Sequence, residues 1–216
     1  MQNYLYMKSL FITIILIAVA VLSWLVIGIE FFLLFIILIS LFVLFILSII
    51  HVFKKISKKY YIVLLITLVI CLTGIGVALL RPYNKAILDS ENISENLQYA
   101  YQMDQSDRKQ VKSFIPYLSK LQERDALRMN QVADYYEDGL IVKPLDKFYS
   151  AFIYHHSNDK KDYKIASSLS SDAAKDKSLK ENYQVQWLRK ASYDRWMLSI
   201  GKPEIYNTQN KLSISF

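Results

Sequence analysis

Apolar residues run almost unbroken from Ser9 to Val52, interrupted by only two ionisable side chains, Glu30 and His51. One membrane-spanning helix needs roughly 20 apolar residues, so this run is long enough for two. Gly28-Ile29-Glu30 divides it near its middle and predicts a tight hairpin between spans at about 10–29 and 31–52. The lysine-rich stretch Lys54–Lys59 follows, and then a third apolar run at about 60–80, closed by Arg81-Pro82. Proline lacks the backbone donor a helix needs and stops it there. The first run is too long for a cleavable signal peptide, has no small-residue cleavage site and passes straight into a second span. Tyr4, Tyr6, Trp24, Tyr60 and Tyr61 fall near the expected interfaces, as aromatic belts do.

After Pro82 the pattern changes to short amphipathic helices. Ile93, Leu97, Ala100 and Met103 recur at helical spacing, with Ser90 or Asn92 as a cap and Pro116 as the break. A second helix is expected over Leu118–Tyr136, with Leu121, Leu127, Val132 and Tyr135 inward and Gly139 as its stop. A third starts at Pro144, a fourth covers Asp159–Ala174 behind a Ser157 or Asn158 cap, and a fifth covers Lys180–Ile200. Gly201 and Pro203 end the last one. No stretch alternates with period two long enough to argue a sheet. The expected architecture is all-α, with a three-span membrane anchor over 1–82 and a compact soluble helical domain over 83–216.

Charge sharpens this division. The net charge of +7 would suit a polyanion partner, but residues 1–81 hold six Lys/Arg against the single acid Glu30, and the remainder holds 20 against 18. The basic excess therefore belongs to the membrane half, and a nucleic-acid partner is set aside. The short loop carrying four lysines is expected on the cytoplasmic side, with the uncharged hairpin outside. The amino terminus is then cytoplasmic and the helical domain extracytoplasmic, at a bacterial plasma membrane. Glu30 is read as a hairpin residue at the headgroup level, and Gly74 and Gly76 as possible points of close helix packing. A single cysteine, Cys71, gives no disulfide framework, and three histidines are few for a metal site. No cofactor and no metal are expected.

Three polar clusters carry the candidate chemistry. In Met103–Arg108, "MDQSDR", Arg108 lies four residues after Asp104, the spacing of a helical ion pair. In "YHHSND" the adjacent His155 and His156 point about 100° apart on a helix and cannot both face one metal well. The last is Asp194–Gln209, "DRWMLSIGKPEIYNTQ". In order and spacing the set resembles a bacterial family catalogued only as a domain of unknown function, with an "MDQxxR"-like start, a central "QHSD"-like segment and a terminal "DR…GKPQxYGTQ". The likeness covers roughly Asn96 to Gln209. It assigns Asp104, Gln105, Arg108, His156, Ser157, Tyr163, Asp194, Arg195, Gly201, Lys202, Pro203, Tyr206, Thr208 and Gln209 to the shared positions. This chain departs from the pattern at Asn158 for Asp, Glu204 for Gln and Asn207 for Gly; Asn tolerates the left-handed backbone that Gly would supply. The family has no established activity, so the resemblance implies where a site is and not what it does.

Three functions compete on these residues. In the first, Asp104, Gln105, Arg108, His156, Asp194, Arg195, Tyr206, Thr208 and Gln209 build a binding surface for a protein partner or a small polar ligand, held at the bilayer by the spans. An immunity, envelope-stress or defence-accessory role suits that architecture. In the second, His156 is a general acid or base with Arg108 or Arg195 holding an anion. In the third, the same groups are an internal ion-pair network. The sequence also suggests that Trp196 is buried, that Arg195 or Asp194 points toward His156, and that Tyr206–Gln209 lies on the Asp104–Arg108 helix.

Overall fold

The computed structural model describes residues 2–209, with side chains from residue 6 onward; Tyr4, among the expected interface aromatics, lies outside the described side chains. All regular elements among the described residues are helical: α1 (Gln2–Leu25), α2 (Ile29–Phe53), α3 (Lys58–Leu80), α4 (Ile93–Arg108), α5 (Leu121–Glu137), α6 (Pro144–His155), α7 (Lys160–Lys175) and α8 (Tyr183–Ser199), with one 3₁₀ turn at Val111–Phe114. The chain divides into two compact units, one formed by residues 1–83 with 108–119 and the other by 84–107 with 120–209.

In the first unit α1, α2 and α3 are each long and apolar enough to cross a membrane. Their outward faces are phenylalanine, leucine and isoleucine, left uncovered by protein, as a lipid-facing bundle requires. The hairpin falls earlier than the sequence suggests. Gly28 takes a left-handed backbone (φ 88°) that ends the turn after α1, and Glu30 becomes part of the first turn of α2. Nor is Glu30 solvated at a headgroup level: it is buried, with Arg81 3.6 Å away, and accepts from the Val111 amide. Arg81 is buried too, donating to the carbonyls of Ser23 and Val26. A carboxylate and a guanidinium at the ends of apolar helices neutralise each other and the open carbonyls of α1. Lys112 donates to the Arg81 carbonyl and lies over the Tyr83 ring, 3.7 Å from its centroid, so the 108–119 segment is stitched to this polar knot.

α3 packs along both α1 and α2, which meet each other little. Gly74 sets that approach: a Cβ there would stand 2.7 Å from Leu33 and Val19 and 2.9 Å from Ser23. Gly76 has open space around it, so only one of the two glycines marks close packing.

In the second unit α6 packs along α7 and α7 along α8. Alanines at the contacts, Ala151, Ala166, Ala173 and Ala191, are fully buried and let the axes come close, while Leu97, Phe148, Val185 and Leu188 fill the centre. Asn92 caps α4, its side chain accepting from the amides of Ser94 and Glu95. α4 ends at Arg108, before Pro116, because the chain leaves the second unit there. The cap of α7 is Asp159, neither Ser157 nor Asn158, accepting from the Lys161 amide at 2.8 Å. α5 turns a different face inward from the one its leucines suggest: Leu127 is exposed, while Arg124, Arg128 and Val132 are buried.

Candidate functional site

The terminal run folds back on its own helix. α8 closes with Gly201 left-handed (φ 73°). The Lys202 amide reaches the Met197 carbonyl at 2.9 Å and the Gly201 amide reaches Leu198 at 3.1 Å, the paired bonds of a glycine-terminated helix end. Pro203 keeps the helix from resuming. Asp194, fully buried on α8, then collects the returning chain. Its Oδ1 accepts from the amides of Ile205 (2.9 Å) and Tyr206 (3.0 Å), and its Oδ2 from the amide and hydroxyl of Thr208 (3.0 and 2.8 Å). Asn207 supplies the left-handed residue (φ 57°) inside this turn. Gln209 ties the far end, its side chain donating to the Ala191 carbonyl and its amide to Glu204. Burial pushes the Asp194 carboxyl up, but the converging donors from Tyr206, Ile205 and Thr208 outweigh it, and the net pKa lies below the ordinary carboxylate value.

The returning turn is one wall of a pocket of about 330 Å³, lined by Tyr183, Gln186, Trp187, Lys190, Tyr206, Asn207 and Thr208. Its two walls are consecutive turns of α8 and the Asp194-held segment. The Tyr206 ring lies edge-on to Tyr193 at 5.9 Å, and Arg189 and Lys190 stand 5.7 and 6.0 Å from its centroid. Trp187 is steadied from behind by His155 and Phe152. Aromatic surface, one lysine and backbone polar groups converge in a concavity, which is the make-up of a recognition site.

Asp104 and His156 form a separate cluster. His156 Nδ1 and Asp104 Oδ2 are 2.9 Å apart; the approach is out of line for a hydrogen bond, so the contact is one of charge when the imidazole is protonated. Gln105 donates to Asp104 at 2.9 Å. Around them lies a buried ionic core that the sequence reading missed. Arg124 grips Asp107 through Nε and Nη2 (2.7 and 3.1 Å). Arg128, with no exposed surface, donates to Asp107 at 2.7 Å and to Asp125 at 2.6 Å and stands 4.0 Å from Asp104. Acids three apart on α4 facing arginines four apart on α5 was the available signal. The cluster joins α4, α5 and α6.

Of the nine candidate residues, the eight in the second unit do not gather at one point. Asp194, Tyr206, Thr208 and Gln209 build the pocket turn; Asp104, Gln105 and His156 belong to the ionic core. Arg108 falls in the first unit. Arg195 points to neither Asp104 nor His156: its guanidinium lies over the Tyr163 ring, 5.0 Å from the centroid, a cation–π contact that needs no carboxylate. Trp196 is only half-buried, edge-on to Tyr193. Tyr206–Gln209 lies on α8 and not on the α4 helix, because Asp194 offers the nearer set of acceptors. Among the described residues no three His, Cys, Asp or Glu side chains are grouped to hold a metal ion. No family model matches the chain, and neither a curated protein nor a solved structure matches it.

Proposed function

We propose that this chain is a membrane-anchored binding module whose terminal turn and α8 form the recognition pocket. The observation that carries this reading is the Asp194 turn: four hydrogen-bond donors are gathered on one buried carboxylate to hold an exposed tyrosine, an asparagine and a threonine beside Trp187. A solvated tail has no need of such fixing, whereas a binding wall does. Lys190 and the tyrosine hydroxyls suit a short polar segment of a partner protein or a small polar ligand bearing a carboxylate. The ionic core is then the frame that holds the helices, and the resemblance in the Asp194–Gln209 motif is consistent with a shared turn of this kind.

The lysine asymmetry of the spans supports an inner, cytoplasmic amino terminus and an extracytoplasmic helical domain at a bacterial plasma membrane, where an immunity, envelope-stress or defence-accessory role fits. A reporter enzyme active only outside the cytoplasm, fused after Phe216, should be active, and a cytoplasm-only reporter dark; the reverse pattern overturns the orientation. The binding reading is tested by placing a photo-crosslinking amino acid at Tyr183, on the pocket rim, in the full chain in cells. A discrete adduct is expected there, absent from the same substitution at Gln122 on the exposed face of α5 and lost when Asp194→Ala is added. Equal labelling at both positions, or none at Tyr183, contradicts it.

A further inference from the structure

A second concavity lies wholly within the membrane unit, and its chemistry is different. Between α1 and α3 runs a groove of about 900 Å³ whose walls are Leu10, Phe11, Ile14, Ile62, Val63 and Ile66, with Lys8 and Lys59 at one end. Among the described lining residues the one other polar side chain, Thr67, donates its hydroxyl to the Val63 carbonyl of its own helix at 3.1 Å, so the floor is in effect apolar. α1 and α3 both start at the lysine end, which puts Lys8 and Lys59 at the same end of the groove, the Lys59 ammonium 5.1 Å from the centroid of the Tyr60 ring. From Lys59 to Ile70, the first and last lining residues of α3, is eleven residues, or about 16 Å of helix. That is roughly half of a hydrocarbon core about 30 Å thick.

We infer that this groove binds one anionic glycerophospholipid, with an acyl chain laid between α1 and α3 and its phosphate at Lys8 and Lys59. Three observations select this occupant. The groove lies between two helices long and apolar enough to cross a membrane, so its apolar length suits a hydrocarbon chain. Its depth matches a single leaflet, which excludes a guest that must cross the membrane. Lys8 and Lys59 are the charged side chains among the described lining residues, and lysines beside a membrane surface favour anionic headgroups by a term that adds with each residue. The neighbouring Lys54, Lys55 and Lys58 attract the same lipids to the surface but do not line the groove, so they contribute enrichment without a seat.

The test uses the full-length chain in a non-ionic detergent, with phosphatidylglycerol or phosphatidylcholine of identical acyl chains added, and native mass spectrometry to count bound lipid. The wild-type chain should retain one phosphatidylglycerol with about a tenfold preference over phosphatidylcholine. Lys8→Gln with Lys59→Gln should abolish the preference, while Lys54→Gln with Lys55→Gln should leave it in place. Val63→Trp, which fills the groove, should release both lipids. Glycerol phosphate, the headgroup without the chains, should not compete at equal concentration. Equal retention of the two lipids by the wild type, a preference that survives loss of Lys8 and Lys59, or competition by glycerol phosphate would each overturn the assignment.

Discussion

Replacing Asp194 by Ala is expected to detach the terminal turn and to lower the stability of the helical unit by about 3 kcal/mol. An unsatisfied buried donor costs roughly 1–3 kcal/mol, and Asp194 serves three amides and one hydroxyl. The costs do not sum, because the freed segment from 203 onward can swing into water and recover its hydrogen bonds there. The ceiling is the free energy of releasing the turn together with the Tyr206 packing on Tyr193. Asp194→Asn keeps the shape but removes the charge and one acceptor, so it should cost less than Ala. The same carboxylate makes the turn sensitive to acid. Its pKa is depressed in the folded chain, so its contribution is fully present above the unfolded value near 3.9 and is lost as the pH falls through the lower, folded value. Thermal unfolding of the full chain in detergent at pH 7 and below pH 4 should show wild type and Asp194→Asn converging at the acid end; a constant gap between them contradicts this.

The second large effect is expected at Arg128. Among the described residues it is the most completely buried cation, and it neutralises Asp107 and Asp125 while standing beside Asp104. Arg128→Met fills much the same volume but leaves Asp104 and Asp107 facing each other with less positive charge between them. Breaking a buried pair in this way costs about 3–5 kcal/mol. Arg195→Ala, by contrast, removes a cation–π contact at a half-exposed position and should cost no more than about 1 kcal/mol. The two arginines thus reverse the ranking that the terminal motif alone suggests. A double-mutant cycle with Asp107→Asn separates the pair from its surroundings: the double variant should regain about 1–3 kcal/mol of the loss. Additive losses would mean that Arg128 acts through packing and not through its charge.

What could be read from the residues follows from how strictly physics constrains each region. A bilayer demands about 20 apolar residues per span, so the three spans stood out, and glycine at a left-handed position left its mark at both Gly28 and Gly201. Asn207, a residue that tolerates the left-handed backbone, adopts it in the terminal turn. The ionic core was hidden by the rule that makes sequence patterns useful, since charges are normally read as the solvated face of a helix. On α5 that rule put Leu127 inside with Val132; the structure keeps Val132 inside but exposes Leu127 and buries Arg124 and Arg128. The wall formed by Tyr206–Thr208 was legible as a candidate, but its partner was not. Whether a returning segment docks on α4 or on α8 depends on which buried acceptor is nearest, and Asp194 could be recognised as that acceptor only in three dimensions. The residues from 108 up to the break at Pro116 likewise looked like an extension of α4, and only long-range contacts place the 108–119 segment with Arg81 and Tyr83.

The account rests on the terminal run being a built wall and not a tail, and amide hydrogen exchange of the full chain in detergent tests this directly. The amides of Ile205, Tyr206 and Thr208 should be protected at pH 7 and should lose that protection together in Asp194→Ala, while the amides of α6 keep theirs. Exchange of these three amides at the free-peptide rate in the wild-type chain would contradict it.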